Sequence, residues 1–289
     1  MPRTARWWRA SPAPRHRWGW PVRSEPIALV LDAPIASGLA HTSGRRRFLL
    51  GSLAAGTSLA AGITGCGGGG WDDDAKLRAV NATVDLAGVD LRFNDWIFAR
   101  GLGYGANVSA YASRGLWSVG AAGRFAASRA GQTTTLVSSS HALTGDSATS
   151  VVLMGSQSTG LRLVAIDEDA RRPGGMVVRL RLLHAWPGAG ALDFHITSAG
   201  QTLAGRAPDW VLGSYGDLSP FGTSASATRL RITPRGQPGW VLFDNLVTGF
   251  AADQVLTLVV APAPGAARVA VAVLPQDAPG YVLTNVATA

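Results

Sequence analysis

Apolar and polar residues alternate with a period of two along much of the chain beyond residue 74. In residues 89–93 and again in residues 192–196, every second side chain is apolar. This alternation is typical of a half-buried β-strand, in which successive side chains point to opposite faces. Short runs of Val, Leu, Ile and Thr are separated by clusters of Gly, Pro, Asn, Asp and Ser, and no sustained apolar period of 3.6 residues follows Trp71. The pattern predicts an all-β fold.

The same pattern occurs twice, with an offset of 103 residues. Residues 77–82 read LRAVNA and residues 180–185 read LRLLHA, while residues 89–93 match residues 192–196 at the same offset. Units of this size with about seven short strands predict two tandem immunoglobulin-like antiparallel β-sandwich domains. We place them at residues 75–172 and 173–289. A jelly roll and one continuous barrel are the alternatives.

The repeated block resembles the domain-of-unknown-function family number 4397. In that family a strand ending in Asn or His and Ala is followed by a turn and a Val-Asp-Val strand. The residues that carry the resemblance are Arg78, Val80, Asn81, Ala82, Val89, Asp90 and Leu91, and then Arg181, Leu183, His184, Ala185, Leu192, Asp193 and Phe194. The resemblance covers most of residues 75–280, although the family's Ser-Pro-Asp turn is replaced in both copies. It implies exported envelope domains and brings no reaction, cofactor or catalytic residue.

Residues 43–65 have the layout of an export signal: arginines, a short apolar stretch, then small residues. Two motifs fit this layout, a twin-arginine-like start and a lipobox-like end. Their residues are Arg45, Arg46, Phe48 and Leu49, and then Ile63, Thr64, Gly65 and Cys66. The resemblance to a lipobox implies that Cys66 receives a lipid and becomes the first residue. Soluble export and a retained span are the alternatives, and the choice between twin-arginine and general export stays open.

The segments on either side of this signal are predicted to lack a fold. Residues 1–42 are rich in Arg, Trp and Pro, and we expect them to be disordered. We favour a start assigned too far upstream over a membrane-active or nucleic-acid-binding arm. Residues 66–74 contain Cys66, four glycines and three aspartates, which is the composition of a flexible, solvated tether.

The charge distribution excludes a basic binding surface on the processed chain. The formal net charge is +8, but residues 1–65 contain nine arginines and two acids. Only +1 is left for the remaining residues, so nucleic acid is not an expected partner. The single cysteine excludes an internal disulfide.

We find no catalytic, cofactor-binding or metal-binding constellation in the sequence. The Gly/Ser run 155–160 lacks the spacing of a nucleophile elbow. His184 stands where the first copy has Asn81, and His195 where it has Arg92, so neither is an equivalent ligand. We therefore interpret both histidines as structural. Asp90 and Asp193 are expected to hold turns rather than to form a catalytic pair.

Two further sets of residues have alternative interpretations. Tryptophans could offer stacking platforms for sugars, although large aromatics in sandwiches more often pack in cores. They are Trp96, Trp117, Trp186, Trp210 and Trp240. The acidic run 167–169 beside Arg171 and Arg172 is interpreted as a solvated linker rather than a calcium site.

Together these features predict a lipid-anchored bacterial cell-envelope protein, periplasmic or surface-exposed, with a non-catalytic binding or scaffolding role. Its expected partners are the membrane, through the lipid on Cys66, and an envelope protein or polysaccharide. A carbohydrate-binding module and a hydrolase with a noncontiguous triad are the alternatives.

Overall fold

A computed structural model describes residues 74–115, 122–145, 147–169, 171–225, 229–246, 250–264 and 268–285. All the described residues belong to one compact unit, Cys66–Ala289. The predicted export signal, the lipidation site at Cys66, the disorder of residues 1–42 and most of the tether therefore lie outside the described residues.

Every regular element among the described residues is a β-strand, which confirms the predicted all-β fold. The strands of the first half are β1 (Asp74–Thr83), β2 (Val89–Phe93), β3 (Trp96–Leu102), β4 (Asn107–Val108), β5 (Ala112–Gly115), β6 (Ala122–Arg129), β7 (Thr135–Ala142), β8 (Ala148–Ser156) and β9 (Gly160–Asp167). The strands of the second half are β10 (Val177–His184), β11 (Leu192–Thr197), β12 (Trp210–Leu212), β13 (Gly222–Ala225), β14 (Arg229–Pro234), β15 (Phe243–Leu246), β16 (Val255–Pro262), β17 (Val269–Pro275) and β18 (Tyr281–Thr284).

These strands form four sheets, two in each half of the folded region. Sheet A has the order β4-β1-β8-β9, with β5 also paired to β1, and sheet B has the order β3-β2-β6-β7. Sheet C has the order β13-β10-β16-β17-β18, and sheet D has the order β12-β11-β14-β15. Sheets A and B enclose one apolar core, and sheets C and D enclose another. Each half is therefore a β-sandwich, as predicted.

One strand pair in each sandwich differs from the antiparallel arrangement that we expected. β1 pairs in parallel with β8, and β10 pairs in parallel with β16. The long connection from β1 to β8, which passes through sheet B, makes this direction possible. Asn81 lies opposite Leu153, and His184 lies opposite Val260. The two positions that the sequence repeat made equivalent therefore occupy the same place in the two sheets.

The two sandwiches also contain equivalent hydrogen bonds between a serine and the first strand. Ser109 Oγ accepts a bond from the Ala79 amide at 2.9 Å, and Ser219 Oγ accepts one from the Leu182 amide at 3.0 Å. In both sandwiches this serine joins the segment that leads to β5 or β13 to the middle of the first strand. The repeat therefore extends to side-chain contacts.

A third apolar layer packs sheet A against sheet C. It is formed by buried side chains from both sandwiches, including Val80, Val152, Leu183, Val259 and Ala272. The four sheets consequently stack in the order B, A, C, D. Sheets A and C are covered on both faces, so the central strands β8 and β16 are buried at every position.

Gly123 provides a test of the packing between β6 and β2. A Cβ atom at this position would overlap the ring of Phe93, which packs against Phe125 with ring centroids 4.9 Å apart. We expect Gly123→Ala to lower the free energy of unfolding by about 1–3 kcal/mol, the usual cost of overpacking a core. Urea unfolding of the purified protein measures this difference.

Gly200→Ala is the matched control, because a Cβ atom there meets nothing within 4 Å and the glycine does not have a positive φ. It should change the free energy of unfolding by less than about 0.5 kcal/mol. Equal unfolding midpoints for the two variants would contradict the described packing of Phe93.

Candidate functional site

Asn81 and His184 hold the turn that follows the first strand of each sandwich. The Asn81 side chain donates to the Leu86 carbonyl at 3.1 Å and accepts from the Thr83 amide at 3.2 Å. His184 Nε2 lies 2.7 Å from the Gly190 carbonyl, and its Nδ1 accepts from the Trp186 amide at 3.3 Å. Both residues are fully buried. These contacts agree with the structural role that we inferred from the repeat.

Burial lowers the pKa of His184, although the Gly190 carbonyl and the Asp217 carboxylate partly oppose this effect. The imidazole is therefore neutral near pH 7. A neutral ring with Nε2 protonated donates to a carbonyl and accepts at Nδ1, which is the pattern that the two contacts require. Both ring nitrogens are thus occupied by backbone groups.

Asp90 binds the turn between β6 and β7, and Asp193 binds the turn between β14 and β15. Asp90 Oδ2 accepts from the Gly131 amide at 2.9 Å, and Asp193 Oδ2 accepts from the Gly236 amide at 2.8 Å. Both glycines have a positive φ, which brings their amides towards the carboxylates. The two carboxylates lie in different sandwiches, as predicted, and serve as turn anchors.

The remaining histidine contacts do not form a hydrolytic triad. His141 Nε2 lies 2.8 Å from Asp167 Oδ1, which also accepts from Thr149 Oγ1 at 3.1 Å. The carboxylate stands between the hydroxyl and the imidazole, whereas a triad needs the imidazole in the middle. His195 Nε2 is 3.4 Å from Thr233 Oγ1. Among the described residues, no serine hydroxyl is hydrogen-bonded to a histidine.

Most of the described tryptophans are packed against cores. Trp186 and Trp210 pack against the core between sheets C and D, and Trp96 packs against the core between sheets A and B. Trp240 is 60% exposed. Trp117 lies outside the described residues. The four tryptophans that the structure describes therefore provide no exposed coplanar pair for a sugar.

A buried ion pair links the two sandwiches, and the sequence analysis did not identify it. Arg78, 1% exposed, contacts Glu168 at 2.9 Å and donates to Ser150 Oγ at 2.8 Å. Its Nη1 atom crosses to the second sandwich and donates to the Pro275 carbonyl at 2.9 Å and the Ala278 carbonyl at 3.2 Å. One guanidinium thus satisfies groups on both sides of the layer between sheets A and C.

Tyr111 completes this cluster. Its ring lies under the Arg78 guanidinium, 4.6 Å from the centroid, and its hydroxyl donates to Glu168 Oε2 at 2.6 Å. Burial, together with the neighbouring Glu168 carboxylate, raises the pKa of Tyr111 far above its usual range, so the phenol stays protonated. Glu168 is 5% exposed. The prediction of a solvated linker is therefore wrong at Glu168, because the linker passes through the interface between the sandwiches.

Arg181 is the counterpart of Arg78 in the second sandwich. Its guanidinium lies 4.5 Å from the centroid of Phe221, which replaces Tyr111, and its Nε donates to Thr257 Oγ1 at 3.1 Å. Burial lowers the pKa of Arg181. The equivalence of Arg78 with Arg181, and of Tyr111 with Phe221, was the one signal in the sequence that could have revealed this arrangement.

Asp169 anchors the end of the linker between the sandwiches. Its Oδ2 atom lies 2.6 Å from Arg171 Nη2 and 2.9 Å from Arg179 Nη2. Hydrogen bonds from Arg171 and Arg179 hold the pKa of Asp169 well below its usual range. A cavity of about 180 Å³ lies close by, lined by Arg172, Gln254, Val255, Pro275, Gln276, Asp277 and Ala278.

Metal-binding clusters and membrane-spanning helices are both absent from the part of the chain that the structure describes. No three or more His, Cys, Asp or Glu residues there are grouped so that they could hold a metal ion. None of these residues forms a helix long and apolar enough to cross a membrane.

Comparison with known families gives one match. Residues 75–195 match the family described as a domain of unknown function, DUF4397. The match covers the first sandwich, then β10 and the first four residues of β11 in the second. The predicted resemblance is confirmed over this range. A comparison with curated proteins finds no match.

The buried ion pair can be tested by replacing Arg78. We expect Arg78→Met to lower the free energy of unfolding by about 3–5 kcal/mol, because the Glu168 carboxylate stays buried without its partner. Denaturant unfolding measures the loss. Arg171→Met is the control, since this arginine is 82% exposed and its solvent-screened pair with Asp169 should contribute little to stability. Equal losses in the two variants would show that Arg78 does not hold the interface.

His184→Asn tests the turn-holding role, since Asn81 performs the same task in the first sandwich. We expect this variant to lose less than about 1 kcal/mol at pH 8, whereas His184→Ala should lose about 1–3 kcal/mol by leaving buried backbone groups unpaired. Thermal or urea unfolding distinguishes the two. Similar losses for Asn and Ala would contradict the role.

Stability should also depend on pH through the buried histidines. Burial lowers the folded-state pKa of both His184 and His195. Below about pH 6.5 the unfolded chain binds protons that the folded chain does not, so stability should fall as the pH decreases from that value. His184→Asn should make this decrease shallower. An unchanged slope would show that His184 is not neutral in the fold.

Proposed function

We propose that this protein is a lipid-anchored component of the bacterial cell envelope that binds or scaffolds other envelope molecules without catalysing a reaction. Cys66 is the attachment residue, and Arg45, Arg46, Phe48 and Leu49 belong to its export signal. Export by the twin-arginine route fits these residues. The folded region then stands at the membrane, in the periplasm or at the cell surface.

The observation that supports a non-catalytic role is that the buried polar side chains of the two sandwiches bind turns and the interface. Asn81, Asp90 and their counterparts His184 and Asp193 hold turns. Arg78 and Glu168 form a buried ion pair in the interface between the sandwiches. Groups that could have served chemistry are thus engaged in holding the fold, which is the behaviour of a structural or binding domain.

The family match covers the first sandwich. We further propose that the second sandwich is another copy of this domain. The shared strand order and the equivalent serine contacts of Ser109 and Ser219 support this step. We propose the membrane, reached through the lipid on Cys66, and an envelope protein or polysaccharide as partners, and no nucleic acid.

Replacement of Cys66 tests the anchoring. In a bacterium that processes lipoproteins, the unchanged protein should fractionate with membranes, and its amino terminus should be a lipid-modified Cys66 by mass spectrometry. Cys66→Ser should lose the lipid, because a hydroxyl does not replace the thiolate in the modification. The variant should no longer yield a processed amino terminus at residue 66.

Gly70→Ser is the matched control, since it also introduces a serine in the same segment but keeps the cysteine. It should be processed and lipidated like the unchanged protein. An unmodified Cys66 still preceded by residues 43–65 in the purified protein would refute the anchoring proposal.

A further inference from the structure

The outer face of sheet D carries polar side chains that are buried. On β11, apolar residues face the core between sheets C and D, and Asp193 and His195 point to the opposite side. Arg231 and Thr233 stand beside them on β14. None of these four residues is more than 6% exposed. Because sheet D is the last sheet of the stack, something other than a fifth sheet must cover this face.

Two connections lie over the outer face of sheet D, and both are longer than their counterparts in the first sandwich. The connection between β11 and β12 spans residues 198–209, whereas the corresponding connection between β2 and β3 is residues 94–95. The connection between β14 and β15 spans residues 235–242, whereas that between β6 and β7 spans residues 130–134. The second sandwich therefore has two longer loops than the first, at neighbouring places on one face.

Residues of both long connections line an open cavity of about 380 Å³. This volume falls in the range of small-molecule sites. Its lining is mainly apolar and includes one charged side chain, Arg231. The lining residues are Thr202, Leu203, Ala204, Arg231, Pro238, Gly239 and Val241.

Arg231, the charged residue of this cavity, has no counter-ion among the described residues. Its Nη2 atom donates to Thr197 Oγ1 at 2.8 Å and to the Gln201 carbonyl at 2.7 Å, but its buried Nε–H group has no acceptor. The neighbouring Asp244 has both oxygens engaged by Arg229. Burial, with the positive charges of Arg229 and Arg206 nearby, lowers the pKa of Arg231. A buried cation in this state is stabilised by any anion that reaches it.

Two other buried atoms on this face of sheet D also lack partners, although neither residue lines the cavity. They are His195 Nδ1, on the residue directly opposite Arg231 in the sheet, and Asp193 Oδ1. In the first sandwich the place of Arg231 is taken by Ala126, which lies opposite Arg92. Arg92 Nε also lacks a partner, so the second sandwich differs in the cavity beside its arginine and in the further unpaired atoms of His195 and Asp193.

We propose that this cavity binds a small organic monocarboxylate, with the carboxylate on Arg231 and an apolar body against Leu203, Pro238 and Val241. A single guanidinium in the lining matches one negative charge. The apolar walls favour an aliphatic or aromatic body over a fully polar anion such as phosphate. This inference rests on the binding role proposed above and assigns it to the second sandwich.

Ligand-observed NMR and calorimetry on the purified chain test this site. The probes are hexanoate and benzoate, each compared with its uncharged analogue, hexanamide or benzamide. We expect both carboxylates to bind at least ten times more tightly than the amides. Arg231→Met should weaken carboxylate binding at least tenfold. Arg92→Met, which removes the outer-face arginine of the first sandwich, should leave it unchanged.

Ala204→Phe provides a second variant that fills the cavity and leaves Arg231 in place. It should also weaken binding of both carboxylates at least tenfold, and it keeps the test valid if Arg231→Met does not fold. Equal binding of carboxylates and amides, unchanged binding in Ala204→Phe, or equal loss in Arg92→Met and Arg231→Met would each overturn the proposal. Cys66→Ser should bind like the unchanged protein, so failure of the anchoring proposal is distinguished from failure of this one.

Discussion

The packing of sheet A against sheet C constrains the rest of this molecule. It covers the second face of both sheets, so β8 and β16 are buried at every position and the hydrogen bonds of these strands are removed from water. Any polar side chain at the edge of this layer must then find its partners within the protein. Arg78 does so by joining Glu168 in its own sandwich to two carbonyl groups in the other. The course of the linker is constrained in the same way, because the linker must place Glu168 beside the Arg78 guanidinium.

This arrangement leaves only sheets B and D with an outer face. The two sheets have the same strand order and an equivalent aspartate at the turn, Asp90 or Asp193. They differ in the loops that cover this outer face. Sheet B has short connections over its face, and sheet D has long ones. Interface residues are constrained by contacts on both sides, whereas loops at the far end of the stack can lengthen without disturbing the layer between sheets A and C. New binding properties are most easily acquired there.

Much of the fold could be predicted from the sequence, because the relevant signals are local. The alternation in residues 89–93 and 192–196 identified β2 and β11, and the repeat identified the equivalent turn residues. The parallel pairing of β1 with β8 was missed, since periodicity records which side of a strand is buried and not its direction. Glu168 was assigned to a solvated linker because an acidic run has the same composition whether its charges meet water or a buried arginine.

The cavity over sheet D was beyond sequence reasoning for a related reason. Arg231 lies in an alternating strand, and its position predicts an exposed side chain unless a loop far away in the sequence covers it. His195 gave a partial signal, since it replaces Arg92, but a lone substitution does not reveal that the cation has moved to the neighbouring strand. Only the register of β11 with β14 shows His195 opposite Arg231, as Arg92 is opposite Ala126. We propose that a cation placed on the other strand of this pair, beneath two longer loops, gives the second sandwich a site without altering the interface between sheets A and C.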